Sequence, residues 1–262
     1  MATSMLVTGG TGTIGSQVVP LLRDAGREVR VLSRRQHEPG GGVEYAVGDV
    51  LKDEGLDAAL DGIETLVHLA GGVRGDDVAT RNLVRAASRG GVRHLVLISV
   101  TGADRMPQRF LRTQLKAEQA VAASGVPWTT LRAAQFHDFA LKLIRMMAKP
   151  PIVPVGKDLR LQPVDPRDVA ERLVELALGE PAGLVPDMAG PKVYVLPELV
   201  RGYLEASGKR RVLLPFRVPG KAGRAYRDGD NLPREGAVLG TRTWEEFLAE
   251  KFPRKETAAH TA

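Results

Sequence analysis

The chain has 262 residues, of which 43% are apolar and 26% are charged, a composition that can build a packed core and is too apolar for a disordered chain. Its longest apolar runs are far shorter than the roughly 20 residues that span a bilayer, so we expect no membrane partner. Because it has no cysteine, disulfides, thiol nucleophiles and thiolate zinc sites are excluded, and we expect a cytoplasmic protein without a metal site.

The formal net charge of +6 comes from one stretch, residues 201–234, which holds nine Lys or Arg residues against three acids. Few aromatic residues lie among these cations, so the stretch does not resemble a platform on which bases stack, and we expect no nucleic-acid partner. We interpret the stretch as an ordinary solvated surface, the alternative being a preference for an acidic substrate.

Short β-rich runs alternate with helical patterns through the first half of the chain. Strands are predicted at Leu6–Thr8, Glu28–Ser33, Val43–Val47, Thr65–Leu69, His94–Ser99 and Trp128–Arg132. Helices are predicted between them at Ile14–Ala25, Leu56–Leu60, Asp77–Ser88 and Gln108–Ala123. This alternation predicts an α/β fold in which a doubly wound parallel sheet is covered by helices on both faces.

From about Gln135 the alternation stops and prolines become frequent. Helices are predicted at Arg167–Leu178, Pro197–Ala206 and Trp244–Lys251, the first of them introduced by an acid and a proline. We predict a core over residues 1–134, a mixed region over 135–252 that forms a small C-terminal substrate cap and completes the core, and a flexible tail over 253–262.

The turn between the first predicted strand and helix carries two overlapping glycine patterns. Gly10, Gly12 and Gly15 match G-x-G-x-x-G, and Gly9 begins the related G-x-x-G-x-x-G. Glycines let the backbone approach a pyrophosphate, which then lies on free N–H groups at the positive end of the helix. After a strand and before a helix, the pattern predicts a Rossmann-type dinucleotide site, the alternative being a tight turn without a ligand. The cofactor contacts expected from this turn are Gly9, Thr11, Gly12, Thr13 and Ile14.

The end of the second strand distinguishes the two nicotinamide cofactors. NAD-binding proteins place an acid about 20 residues after the glycine turn, whereas this strand runs into Ser33, Arg34 and Arg35. Two guanidiniums can clamp a 2′-phosphate, so we predict NADP(H) in preference to NAD(H), the alternative being a solvated arginine pair. Further cofactor contacts are expected after the third and fourth strands, at Gly48, Asp49, Val50, Leu69, Ala70, Gly71 and Gly72.

Several segments together resemble the NmrA-like NAD(P)-binding proteins among the atypical short-chain dehydrogenase/reductases. The resemblance lies in residues 8–15, 48–49, 68–71, 82–87, 94–99, 124–132, 164–170, 189–191 and 243–248. It implies a Ser on the fifth strand and a Tyr-x-x-x-Lys pair on the following helix, in which the Tyr exchanges a proton with a carbonyl or alcohol.

This chain departs from that pattern. Ser99 fits the serine position, but the preferred register places Phe110 and Gln114 where the family has Tyr and Lys. The alternative register would use Arg112 and Lys116. Lys116 lies about 200° from Gln114 around a helix, so we interpret it as facing solvent. Gln114 can still hydrogen-bond a ribose hydroxyl.

Our candidate catalytic residues are Ser99, Gln114 and His137, and our candidate substrate contacts are Thr101, Phe110, Phe136 and His137. His137 could donate a proton, paired with Asp138, the alternative being a helix-start histidine with a structural hydrogen bond. The alternative for Thr101 is a turn residue.

We therefore predict an NADP(H)-binding oxidoreductase that reduces a small molecule, a quinone or a conjugated carbonyl, without the usual dyad. Hydride transfer needs no protein acid when the nicotinamide is held near an electrophilic carbon. The alternative is a non-catalytic NADP(H) sensor of the NmrA type. The sequence does not indicate an oligomeric state.

Overall fold

The structure is a computed structural model, and it describes residues 4–38, 40–72 and 75–253. The strands are β1 (Ser4–Thr8), β2 (Glu28–Ser33), β3 (Val43–Val47), β4 (Thr65–His68), β5 (His94–Val100), β6 (Trp128–Ala133), β7 (Ile152–Gly156), β8 (Arg160–Leu161), β9 (Gly183–Leu184), β10 (Met188–Ala189), β11 (Tyr194–Val195), β12 (Val212–Phe216) and β13 (Val238–Leu239). The helices are α1 (Gly15–Asp24), α2 (Leu56–Leu60), α3 (Asp76–Arg89), α4 (Arg109–Ala122), α5 (His137–Met147), α6 (Pro166–Leu178), α7 (Leu196–Ala206), α8 (Gly220–Asp228) and α9 (Trp244–Lys251).

The main sheet has the strand order β13-β10-β6-β5-β4-β1-β2-β3, and β9 also pairs with β6. Each of its ladders is parallel. One apolar cluster joins α1 and α6 to one face, and a second joins α2, α3 and α4 to the other. The predicted doubly wound α/β fold is confirmed. Because the strand order reverses between β1 and β4, the carboxyl ends of these strands form the crevice in which such folds bind ligands.

The second half of the chain contributes to two parts of the molecule. From it, α6, β10 and β13 join the main sheet and its helical layer, whereas α5, α7, α9 and the ribbon of β7 and β12 enclose a third apolar cluster. The division into a core over 1–134 and a cap over 135–252 stays a prediction. Of the predicted tail, residues 254–262 lie outside the described residues.

The sequence patterns missed α5, α8 and the strands after β6. Pro154 lies inside β7 opposite Leu214. The frequent prolines of this stretch had argued against a strand here. The strand tolerates Pro154 because β7 has β12 as its partner along this ladder and presents its other edge unpaired, where a missing N–H breaks no ladder bond. In the part of the chain that the structure describes, no helix combines the length and the apolar character needed to cross a membrane.

Candidate functional site

The corner between β1 and α1 depends on residues without side chains. Gly9 has a φ of +72°, and a Cβ on it would lie 2.7 Å from the Ala70 backbone nitrogen after β4. A Cβ on Gly15 would lie 2.2 Å from the Gly9 carbonyl oxygen. The backbone of the corner therefore packs directly against the backbone that follows β4. Within the described residues, the N–H groups of Thr13 and Ile14 donate to no protein acceptor, which leaves them free for an anion at the start of α1.

A buried network of hydrogen-bonded side chains supports this corner. The Ala70 N–H donates to Thr8 Oγ1 at 3.3 Å, Thr8 Oγ1 lies 2.6 Å from His68 Nδ1, and His68 Nε2 lies 3.2 Å from Thr80 Oγ1. Burial lowers the pKa of His68 to about 4, so the imidazole is neutral at neutral pH. The network is satisfied when the Thr8 hydroxyl donates to Nδ1 and Nε2–H donates to Thr80.

Gln114 reaches the predicted cofactor loop through an acid that sequence reasoning missed. The Gln114 side-chain amide donates to Asp76 Oδ2 at 2.5 Å, and the Gly72 N–H donates to Asp76 Oδ1 at 2.7 Å. Burial raises the pKa of Asp76, and the bonds from Gly72 and Gln114 oppose that effect. The signal that could have found this residue is an acid in the first turn of a helix directly after the Gly71–Gly72 loop.

The end of β2 presents the expected cations. The side chains of Arg34 and Arg35 are exposed, and within the described residues neither guanidinium has a hydrogen bond or ion pair. Ser33 Oγ accepts from the Arg35 N–H at 3.2 Å and lies 2.9 Å from His37 Nε2. The His37 ring stacks on Tyr45 with ring centres 4.8 Å apart, and this contact holds the imidazole beside Ser33. No local sequence signal indicated this role of His37.

The end of β3 lies beside Ser33. The Gly48 N–H donates to the Ser33 carbonyl at 2.9 Å, and Asp49 Oδ1 accepts from the Leu51 N–H at 2.8 Å. Asn82 donates to the Val50 carbonyl at 3.0 Å. These bonds place Gly48, Asp49 and Val50 along the same sheet edge as the glycine corner. Their contact with an adenine stays a prediction.

Ser99 is engaged by a buried ion pair. Its hydroxyl donates to Glu118 Oε1 at 2.5 Å, and Glu118 accepts two bonds from the Arg132 guanidinium at 2.9 and 2.7 Å. The bonds from Glu118 raise the pKa of Arg132 above its usual value, although burial opposes them. The Ser99 proton therefore points toward α4 and β6. The proposed catalytic role of Ser99 stays a prediction, but Ser99 is not placed as a free proton donor.

His137 does not pair with Asp138 as expected, and its role as a proton donor stays a prediction. His137 is fully buried at the start of α5, and its Nε2 lies 3.1 Å from the Pro163 carbonyl. Its Nδ1 lies 3.7 Å from Asp165, not Asp138, which instead pairs with Lys251 at 3.3 Å. The ring packs against Trp244 and Phe247. The alternative, a helix-start histidine with a structural hydrogen bond, describes this geometry.

The remaining substrate candidates lie in different environments. Thr101 is buried in the loop after β5, and its Oγ1 has no hydrogen-bond partner within the described residues. Near it lies Asp187, also buried, whose pKa is raised by burial against the opposing charge of Arg132. Phe110 is exposed at the start of α4, whereas Phe136 is half-buried against the sheet. Their contact with a substrate stays a prediction.

One segment of the C-terminal half, residues 229–234, covers the loop after β5. A Cβ on Gly102 would lie 2.5 Å from the Asp230 carbonyl, Arg105 donates to the Leu232 carbonyl at 2.8 Å, and Arg234 pairs with Asp104 at 2.6 Å. These contacts cover the loop that follows Thr101 at the carboxyl edge of the sheet.

Comparison with known proteins agrees with this geometry. A family model described as NAD(P)H-binding matches residues 9–179, more than half of the chain. The chain is 35% identical over 181 residues to a (4-alkanoyl-5-oxo-2,5-dihydrofuran-3-yl)methyl phosphate reductase of Streptomyces griseus, covering 67% of this chain and 63% of that protein. It is 32% identical over 185 residues to an NAD(P)H azoreductase of Xenophilus azovorans, covering 68% of this chain and 64% of that protein. The matches thus span slightly less than two thirds of these relatives.

Solved structures with the same fold are more distant in sequence. An NADPH-dependent quinone oxidoreductase from Escherichia coli, complexed with NADPH, has a TM-score of 0.77 at 20% identity and covers 95% of this chain and 99% of its own. A triphenylmethane reductase from Citrobacter, complexed with NADP(H), has a TM-score of 0.76 at 21% identity and covers 94% and 99%. At these identities the likeness establishes the fold. Together with the family model and the glycine corner, it confirms the resemblance to NmrA-like atypical short-chain dehydrogenase/reductases, and the chain belongs to the NAD(P)H-binding family.

Proposed function

We propose that the chain is an NADP(H)-dependent reductase of a quinone or a conjugated carbonyl compound. The observation that carries the cofactor preference is the pair of exposed guanidiniums of Arg34 and Arg35 beside Ser33 at the end of β2. No carboxylate within the described residues binds either of them, so a 2′-phosphate meets two cations. The glycine corner fits the diphosphate, because any Cβ on Gly9 or Gly15 would fill the space that the backbone needs.

The proposed chemistry does not use a proton donor from the protein. When bound, the reduced nicotinamide supplies a hydride to an electrophilic carbon of the substrate. Phe110 and Gln114 carry no ionisable group, and the Ser99 proton is donated to Glu118. The protein therefore binds and orients, and the proton that completes the two-electron reduction comes from water. This favours quinones and conjugated carbonyls, whose reduced products take up a proton without a protein acid.

The named activities of the two curated relatives support this substrate class. Both are reductases, and the Streptomyces griseus protein is named for a 5-oxo-2,5-dihydrofuran, a ring that places a carbon–carbon double bond beside a carbonyl. The quinone reductase among the structural relatives agrees in cofactor.

The test is oxidation of NADPH, followed at the nicotinamide absorbance, with a panel of quinones and enones. We expect turnover above the buffer rate with at least one acceptor. The double substitution Arg34→Gln/Arg35→Gln should lower the NADPH-to-NADH ratio of kcat/KM by at least about tenfold, the equivalent of ~1.4 kcal/mol. The matched control is Arg224→Gln, which removes an exposed cation of α8 and should leave the ratio unchanged. An unchanged ratio in the double variant contradicts the NADP preference.

A second candidate function is a non-catalytic NADP(H) sensor. The observation that favours it is that Phe110 and Gln114 stand on α4 where the family has Tyr and Lys, while the Ser99 hydroxyl donates to Glu118. Different affinities for NADPH and NADP⁺, measured by calorimetry, without turnover of any acceptor would support the sensor and contradict the reductase.

A further inference from the structure

The ribbon formed by β7 and β12 buries one face and exposes the other. Val153 and Val155 are fully buried in the apolar cluster of α5, α7 and α9. The alternate positions point away from that cluster, and because Val212 is paired with Ile152 and Leu214 with Pro154 they share one face. We call this the outer ribbon face, and its apolar members are Ile152, Pro154, Val212, Leu214 and Phe216.

The outer ribbon face is unusually apolar for a surface that faces water. Ile152 is 53% exposed, Val212 66%, Leu214 56% and Phe216 42%. Single exposed apolar residues are common, but a contiguous set on adjacent strands marks a surface that another apolar phase covers.

Cations border this face at both ends of the ribbon. Lys149, Lys209, Arg210 and Arg211 lie where the two strands begin, and Lys157, Arg217 and Lys221 lie where they end. An acid, Asp158, lies 3.8 Å from Arg217. In the described ranges, Lys149, Lys157, Arg210 and Lys221 have no ion-pair partner. An open groove at the beginning of the ribbon is lined by Arg201, Lys209, Arg210 and Arg211 around one acid, Glu205.

This charge distribution decides between possible occupants. A two-fold pairing of two copies through the outer ribbon face would place like-charged clusters next to each other, which opposes self-association. Most of these cations are solvated and are not fixed by carboxylates, and they lie at both ends of a short ribbon. That arrangement suits a fluid layer of anionic headgroups above acyl chains better than a fixed pattern of acids on a protein.

We propose that the outer ribbon face docks on the surface of a membrane that contains anionic lipids, with its apolar side chains entering the interface and the flanking cations contacting the headgroups. Docking of this kind needs no spanning helix. It is independent of the proposed function, and it departs from the expectation of no membrane partner because that expectation considered only spanning segments and treated residues 201–234 as a solvated surface.

The test is co-sedimentation of the full chain with vesicles. Vesicles of phosphatidylcholine and phosphatidylglycerol in equal parts are compared with vesicles of phosphatidylcholine alone. We expect the apparent affinity to be at least about tenfold higher for the anionic vesicles, and to fall steeply when the ionic strength rises from about 0.1 M to about 1 M, because the screening length shortens from about 10 Å to about 3 Å.

Two variants separate the apolar and charged parts of the face. Leu214→Glu/Phe216→Glu and Lys149→Gln/Arg210→Gln should each lower the affinity for anionic vesicles by about tenfold or more. Leu239→Glu is the matched control, because it places an acid at an equally exposed leucine of β13, and it should bind as the parent chain does. Unchanged circular dichroism and NADPH affinity in each variant show that the fold is intact.

Several results would overturn the proposal. These are absence of binding to anionic vesicles, equal binding to both vesicle types, or equal losses in the control and ribbon variants. A dimer in solution that Leu214→Glu/Phe216→Glu dissociates would assign the face to a second copy instead, and tight binding only to an acidic protein would assign it to that partner.

Discussion

His68 connects the end of β4 to the residues around the predicted cofactor turn. It lies between Thr8 and Thr80, and the Thr8 hydroxyl in turn accepts from the Ala70 N–H. In the tautomer with its proton on Nε2, His68 has a partner at each ring nitrogen. A second proton on Nδ1 would force the Thr8 hydroxyl to turn its own hydrogen away from the imidazole, so the charge on this buried side chain is coupled to the hydrogen bonds beside Ala70.

Stability should fall in acid because of His68. Burial lowers its pKa from 6.5 to about 4, so the unfolded chain takes up this proton first as the pH falls. The free energy of unfolding should therefore fall by about 3 kcal/mol as the pH drops from about 6.5 to about 4. Above pH 6.5 the imidazole is neutral in both states, and the full stability is present. Urea unfolding of the parent chain and of His68→Gln across this range measures it. The difference between the two should change with pH, and two parallel profiles would contradict the assignment.

Gly15→Ala should abolish tight NADPH binding. The new Cβ would lie 2.2 Å from the Gly9 carbonyl oxygen, so the β1–α1 corner must open and its N–H groups must move. We expect the dissociation constant, measured by calorimetry, to rise at least about tenfold. Gly90→Ala is the control, since Gly90 has a φ of −75° and an added Cβ would have its nearest neighbour at 3.4 Å. Retained affinity in Gly15→Ala would refute the role of the corner.

At the residue scale, the features that could be predicted are those encoded by neighbouring residues. The glycine corner and Arg34–Arg35 can be predicted from neighbouring positions in the chain, and the two guanidiniums are exposed at the end of β2, where the pattern indicated. The partners of Gln114 and Ser99 could not be predicted, because Asp76 and Glu118 are 38 and 19 residues away and single-sequence patterns do not encode such contacts. The full burial of His137 could not be predicted, because it depends on Trp244 and Phe247, which arrive from α9.

Among the elements, α4 is tied to β6 by the Glu118–Arg132 pair. Both side chains are almost fully buried, and Glu118 also accepts from Ser99 on β5. Removing the Glu118 charge leaves the buried Arg132 guanidinium with Asp104, 3.0 Å away, as its remaining carboxylate among the described residues, and the loss of a buried partner costs more than an exposed pair contributes.

Glu118→Gln should destabilise the chain by about 3 kcal/mol in urea unfolding, the lower end of the cost of breaking a buried pair, because Arg132 keeps its charge and Asp104 remains as a second partner. The control is Arg89→Gln, which removes an equally short but exposed pair with Asp57 and should cost less than about 1 kcal/mol. Equal costs in the two variants would show that the buried pair has no special weight.

The element pattern was predictable where strands and helices alternate. In the first half, β2, β3 and α2 have the predicted bounds, and the other elements of that half differ by one or two residues at their ends. In the second half, α6, α7 and α9 were predicted, and α6 was found from its cap, since Asp165 accepts from the Arg167 N–H. The strands β7 and β12 depend on pairing with each other, some 60 residues apart, and no local signal predicts that pairing.

On the scale of the whole molecule, the two halves of the chain are interlaced. The helix α6 packs beside α1, β10 extends the main sheet from β6, and Asp168 of α6 binds the Thr241 and Arg242 N–H groups just before α9. Elements that share such bonds are expected to unfold together.

We therefore expect a single unfolding transition. Trp244 is buried in the cluster of α5, α7 and α9, so its fluorescence reports on the C-terminal half, whereas far-ultraviolet circular dichroism reports on the whole chain. In Trp128→Phe, which leaves Trp244 as the fluorophore, the two probes should give the same urea midpoint. An earlier fluorescence midpoint would mean that the C-terminal half unfolds separately.

The position of β10 limits how the chain can be shortened. A fragment that stops at residue 179, the end of the family match, would keep the glycine corner and Arg34–Arg35 but would lose β9 and β10, which pair with β6 on the edge away from β5. The bare rim of β6 would then offer its backbone groups to other molecules, so such a fragment should precipitate instead of serving as a minimal nucleotide binder.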